Sequence, residues 1–257
     1  MSTDGRFVLL SLPRTGSGDL YRYDIATQRT HRLTDNPNYE GDATYSPSGD
    51  RIAYVREVDG VGNIWLMNAD GSDQRQLTSS SHYDHSPMFI NARTIVFSRN
   101  THAQLGTSAE LSSVDVATGQ VRTIGNGKMR GAFAVPVGDY DLLYSRFNGC
   151  NDEVVLLSLD GFRERVLFQG SCPAVSADGR QCVFIQDRGN YHYDIRLYSF
   201  ETKELAWITD SKVYKSYPSF LDSERVAFVS EPSADGLGTL KVINVKTGVI
   251  NDLYDIK

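Results

Sequence analysis

Apolar and polar residues alternate in short runs along the whole chain, and each run stops at a turn. "GDLYRYDIATQ" (Gly18–Gln28), "GNIWLMNADGS" (Gly62–Ser72), "AELSSVDVATG" (Ala109–Gly119), "DEVVLLSLDG" (Asp152–Gly161), "YDIRLYSFETK" (Tyr193–Lys203) and "GTLKVINVKTG" (Gly238–Gly248) share this form. Each is a strand-length apolar run that ends in a turn rich in Asp, Gly or Thr. A polar segment follows and closes on one apolar residue: Leu33, Leu77, Ile124, Leu167, Ile208 and Leu253, at spacings of 44, 47, 43, 41 and 45 residues. The apolar period is two, with no helical period sustained beyond one turn, so the pattern predicts strands and not a helical solenoid.

A second motif keeps the same phase. "YSPSGDRIAYVR" (Tyr45–Arg56) matches "VSADGRQCVFIQ" (Val175–Gln186), "FLDSERVAFVS" (Phe220–Ser230) and, more loosely, Phe89–Arg99 and Val135–Arg146. Pro fixes φ and Gly supplies a positive φ, so "SPSGD" between two apolar runs predicts a hairpin. Each repeat then holds four strands, and six such repeats predict an all-β, six-bladed propeller of four-stranded antiparallel blades. The blades fall near 1–34, 35–78, 79–125, 126–168, 169–209 and 210–257, within one domain. The first repeat opens on its hairpin, Ser2–Ser11, and only Tyr254–Lys257 follow Leu253. The first blade is therefore expected to lack its inner strand, unless residues lost by trimming or a partner chain supply it.

"SPSGDRIAYV", "NIWLMNADGSDQRQLT" and the proline of "HSPMF" resemble the repeats of TolB-like β-propellers. The resemblance covers nearly the whole chain and is tightest over residues 39–89. It implies the architecture; for function it leaves a docking module, a sugar-processing scaffold and a gating domain all open.

Composition narrows the classes further. The 257 residues are 40% hydrophobic and 23% charged, as in an ordinary globular domain. A net charge of -6 argues against a general nucleic-acid binder, which needs a basic surface. No apolar run is long enough to span a bilayer as a helix. The opening "STDGR" has no leader pattern, so the compartment is periplasmic or extracellular if a leader was removed, and otherwise cytoplasmic. Cys150, Cys172 and Cys182 follow no zinc or redox spacing. Three free thiols in a reducing compartment are expected, although topology makes a Cys150–Cys172 bridge geometrically plausible.

"SSSHYDHSP" (Ser79–Pro87) looks like half of a metal site. Self-alignment absorbs most of it: Tyr83, Asp84 and Pro87 repeat as Tyr39, Glu40 and Ala43, and as Tyr214, Lys215 and Pro218. Only His82 and His85 are particular to this blade, and two histidines without a third ligand do not hold a metal. His102, in the next loop on the same rim, keeps a divalent metal as the lesser reading; no cofactor is otherwise expected. "NADGSD" (Asn68–Asp73) lacks the downstream acid of a calcium loop and reads as a plain turn.

Propeller topology gathers the links between blades and the loops after each second strand on one rim. Glu40, Asp42, Asp84, His85, Arg130, Lys215 and Tyr217 are expected there, with Lys128, Asn148, Asp152, Asp187, Arg188, Tyr191 and His192. Arg56, Arg99 and Arg146 close the second strand of three consecutive blades, where Ser11, Gln186 and Ser230 stand in the others. In register they could read an anion, or each could pair with an acid such as Glu57, Asp84 or Asp152. Three functions follow from these residues. The first is a non-catalytic scaffold docking a protein or peptide on the loop-rich rim. The second is a metal-assisted lyase or hydrolase on acidic oligosaccharides, which resembling propellers exemplify, with His82, His85, His102 and His192 as base or ligands. The third is a small-ligand sensory domain. The docking scaffold demands the fewest special residues and is the reading preferred here.

Overall fold

The computed structural model describes every residue except 3, 15–16, 102–108, 128, 148–151, 190–191, 212, 232–237 and 256–257. Six antiparallel sheets form: five of four strands and one, the first, of three. The expected propeller is therefore present, and among the described residues its first blade has three strands. In the second blade the strands are Tyr39–Tyr45, Arg51–Val58, Val61–Asn68 and Arg75–Gln76, paired in sequence order from the channel outward. The other inner strands are Tyr83–Phe89, Ala132–Val137, Ser171–Val175 and Tyr214–Phe220. Blade 1 holds only Phe7–Arg14, Ser17–Asp24 and Arg29–Arg32.

Two repeated devices shape blades 1, 2 and 5. In the hairpin, the Ser46 N–H donates to the Arg51 carbonyl and the Gly49 N–H to the Ser46 carbonyl, both at 2.9 Å. Gly49 stands at φ 76°, a conformation that explains the glycine in "SPSGD". The same bonds recur at Ser176 and Gly179, and at Ser2 and Gly5. The second device explains "Leu-Thr" at the repeat ends. The hydroxyls of Thr34, Thr78 and Thr209 each accept the N–H of a third-strand residue, Leu20, Ile64 and Ile195, at 2.9 Å. All three threonines are buried, so the hydroxyl meets an amide that would otherwise lack a partner where the chain leaves the sheet.

The core lies between blades, not within them. Ala53, Val55, Ile64 and Leu66 of blade 2 pack on Phe89, Ile95, Phe97 and Val114 of blade 3, and similar clusters fill the other interfaces. Full burial of such a side chain contributes about 1.5–3 kcal/mol, so the ring is held by its interfaces. Between the last blade and the first, the Tyr23 hydroxyl donates to the Leu253 carbonyl at 2.7 Å and the Tyr23 ring meets Tyr254 at 5.1 Å. Among the described residues, no helix is long and apolar enough to cross a membrane.

Candidate functional site at the channel mouth

Every inner strand breaks register with its neighbour at one place: between Gly41 and Thr44, His85 and Met88, Ala132 and Val135, Ser171 and Ala174, and Ser216 and Ser219. At each break one non-glycine residue takes a left-handed backbone. These are Asp42, Ser86, Phe133, Cys172 and Tyr217, with φ of 50°, 50°, 55°, 53° and 52°. Ala43, Pro87, Ala134, Pro173 and Pro218 follow them. A proline there loses no ladder bond, because the bulge already interrupts the pairing. Such a backbone costs about 1–2 kcal/mol for an L residue, yet it recurs five times around the channel. The bulges take one residue per blade out of the ladder at a common level of the ring.

The groups near this level sense one another. The Asp42 carboxylate accepts the Ser86 N–H from the next blade at 2.9 Å. Its charge also acts on His85, Cys172 and Tyr217, so it reaches blades on both sides of the ring. Burial lowers the His85 pKa below its ordinary 6.5, with Asp42 and Asp84 pulling the other way. The His85 Nδ1 lies 3.1 Å from the Ser86 hydroxyl, and its ring lies 6.1 Å from Tyr83. The Tyr83 hydroxyl donates to Glu57 at 3.0 Å. Burial, with Asp152 and Asp42 adding, pushes the Cys172 thiol up to about 12. Tyr39, Tyr214 and Tyr217 remain 45%, 41% and 63% exposed.

A layer of paired charges lies behind these groups. Arg56 donates to Glu40 at 2.6 Å and stacks on Trp65 at 4.1 Å. Arg99 grips Asp84 with two bonds, at 2.6 and 2.8 Å. Arg146 holds Glu153 at 2.9 and 2.8 Å and Glu164 at 3.1 Å. Lys215 holds Asp194 at 2.6 Å, and its ammonium also donates to Ser211 and the Val213 carbonyl. Arg130 sits 3.5 Å from Glu110. Glu40, Asp84 and Lys215 are buried, so these groups neutralise each other inside the protein. Each of the three in-register arginines is turned to an acid of its own blade. Asp84 is one of the partners expected from sequence; Glu40, Glu153 and Glu164 replace Glu57 and Asp152. Pairing also corrects the alignment of blade 1: Leu12, opposite Asp19, stands where Arg56 stands opposite Asn63, so Ser11 is one residue out.

The structure thus brings Asp42, His85 and Tyr217 to the channel mouth and sets Glu40, Arg56, Asp84, Arg99, Arg146 and Lys215 into the paired layer. His82 binds Ser80 through its backbone, and His102 lies outside the described residues. Among the described residues no group of three or more His, Cys, Asp or Glu side chains is arranged to hold a metal ion. Cys172 is a free thiol, and Cys150, Lys128, Asn148 and Tyr191 lie outside the described residues. Sequence reading missed Ser86 and Phe133 as ring members, and took Cys172 only as a candidate disulfide partner of Cys150. The dipeptides Ser86-Pro87, Cys172-Pro173 and Tyr217-Pro218, in one phase of the repeat, were the available signal.

These features define a six-bladed propeller whose ionic layer is paired within the protein and whose channel mouth carries the exposed Tyr39, Tyr214 and Tyr217, with Asp42 acting on Tyr39 and Tyr217. The chain belongs to the TolB beta propeller domain family, whose family model matches residues 1–171. The Tol-Pal system protein TolB of Anaeromyxobacter dehalogenans (strain 2CP-C) is 38% identical over 84 residues, which is 33% of this chain and 19% of that protein. The chain therefore aligns with about a fifth of that relative's length. TolB from Acinetobacter baumannii superposes with a TM-score of 0.80 at 17% identity, over 96% of this chain and 62% of that one. An oligogalacturonate lyase in complex with manganese superposes with a TM-score of 0.64 at 18% identity, over 98% and 74%. At such identities these two structures are alike in fold alone.

Proposed function

We propose that the chain is a docking module that holds a protein partner, or an extended peptide from one, at the channel mouth and adjoining rim. The observation that carries this reading is the set of exposed aromatics Tyr39, Tyr214 and Tyr217 on a fixed scaffold beside Asp42. Tyrosine offers a large contact area and a polar tip at low conformational cost, which is why it is enriched at interfaces. The ionic layer behind adds rigidity and leaves little charge to drive chemistry. Membership of the TolB propeller family supports the reading, since its relatives are named for the Tol-Pal system, a system of proteins.

A displayed library of random linear peptides tests this. Selection on the 257-residue chain should enrich binders that lose about tenfold or more in affinity with Tyr217→Ala, as truncating an interface anchor does. Tyr140→Ala serves as control, because Tyr140 is exposed on the hairpin rim and should leave binding unchanged. No enrichment, or equal loss with both variants, would remove the channel mouth as the docking site.

A further inference from the structure

The ring of bulge residues carries one carboxylate. Asp42 is exposed, and among the described residues its side chain has a single bond, from the Ser86 N–H at 2.9 Å, and no ion pair. Burial raises the pKa of Cys172 and of Tyr217, and the Asp42 charge adds to each. Cys172 belongs to blade 5, which stands opposite blade 2 in a ring of six, and Tyr217 belongs to blade 6. The Asp42 charge therefore acts across the channel, at a neck lined by Asp42, Ser86, Phe133, Cys172 and Tyr217.

The approach to this neck has the same sign. Tyr39 stands directly opposite Glu57 on the neighbouring strand, and Tyr214 opposite Glu231. The Tyr83 hydroxyl donates to Glu57 from the next blade at 3.0 Å. Among the described residues neither glutamate has an ion pair. Cations do stand one residue along these strands, but alternation turns them to the other face. There Arg56 is held by Glu40 and Lys215 by Asp194.

This combination selects its ligand. A carboxylate between low-dielectric walls draws cations to it, and the faces of Tyr217 and Phe133 favour a cation over an anion. A calcium ion takes six or more oxygen ligands. Among the described residues no three His, Cys, Asp or Glu side chains are grouped to hold a metal ion. An organic cation on a slender apolar stem suits the neck better, and lysine and arginine supply one.

We propose that the segment docked at the channel mouth carries a basic side chain that enters the neck and pairs with Asp42, its stem against Tyr217. This inference rests on the docking reading above and names the chemistry of the partner: a basic segment, steered to the mouth by Glu57 and Glu231. An acidic segment would meet three carboxylates of its own sign.

Two displayed libraries of random linear peptides test this on the 257-residue chain, one with Lys and Arg but no Asp or Glu, the other the reverse. The basic library should yield binders that weaken with Tyr217→Ala, and the acidic library none. When the basic residues of one binder are replaced in turn by norleucine, one position should cost about tenfold or more in affinity. Asp42→Asn should cost about as much. Asparagine tolerates the left-handed backbone and can still accept the Ser86 N–H, so this variant keeps the neck. In Asp42→Asn the same norleucine change should cost less than about twofold, because both changes remove one interaction. Tyr217-dependent binders from both libraries alike, or from the acidic one alone, would overturn the basic side chain and leave the docking reading standing. So would costs that simply multiply. No Tyr217-dependent binder from either library would overturn both.

Discussion

His85 shows how one residue couples the channel mouth to stability. Burial lowers its pKa, against the opposing pull of Asp42, Asn100 and Asp84. Its pKa in the folded chain is therefore below 6.5, its ordinary value. Well above 6.5 neither state carries the proton and His85 contributes no slope. As pH falls through that value the unfolded chain takes up a proton that the folded chain resists, so stability is lost toward acid until the folded pKa is passed. Between about pH 7.5 and about pH 5.5 the melting temperature should fall less in His85→Asn than in the unaltered chain. Equal falls would mean that His85 titrates freely and that the mouth is wetter than its packing implies. Asp84, beside it, is a different case. It is buried but gripped by both nitrogens of Arg99, and the pair belongs to the frame that holds His85 in place.

The inner strand with its bulge is the element that builds the site. Tyr217 sits there at φ 52° with a largely exposed side chain, so glycine would relieve a strained backbone while removing little packing. Tyr217→Gly should unfold in urea within about 1 kcal/mol of the unaltered chain, while Tyr217→Val, branched at Cβ, should be less stable than either. A glycine variant that loses several kcal/mol would show that the ring is packed and not merely displayed. The strands themselves were legible in sequence, because alternation over Asn63–Met67 and the apolar residue that closes each repeat follow from one sheet geometry. The bulge was not. Asp42, Phe133 and Tyr217 share no chemistry, and what they share is a backbone conformation that side-chain pattern does not encode. The arginine arc was half legible. Register placed Arg56, Arg99 and Arg146 at one height, yet whether they faced ligand or protein depended on Glu40, Glu153 and Glu164, which lie on other strands.

At the scale of the whole molecule, the ring closes between blade 6 and blade 1. Its apolar cluster joins Val8, Leu10 and Leu12 of blade 1 to Ala227, Leu240 and Val242 of blade 6, with Tyr23 across the seam. That residue is 1% exposed, donates to Leu253 and packs on Tyr254, so it joins the Ser17–Asp24 strand of blade 1 to the outer strand of blade 6, Ile250–Asp255. Tyr23→Phe keeps the ring and deletes the hydroxyl, which should cost about 1 kcal/mol, the usual net worth of one hydrogen bond. The cost should be local as well as global. Amides of Tyr21–Tyr23 and of Leu253–Tyr254 should exchange faster, while those of Ile64–Leu66 in blade 2 keep their rates. Uniform acceleration around the ring would mean that the closure melts with the whole propeller. Local acceleration would identify it as the seam where the ring opens first.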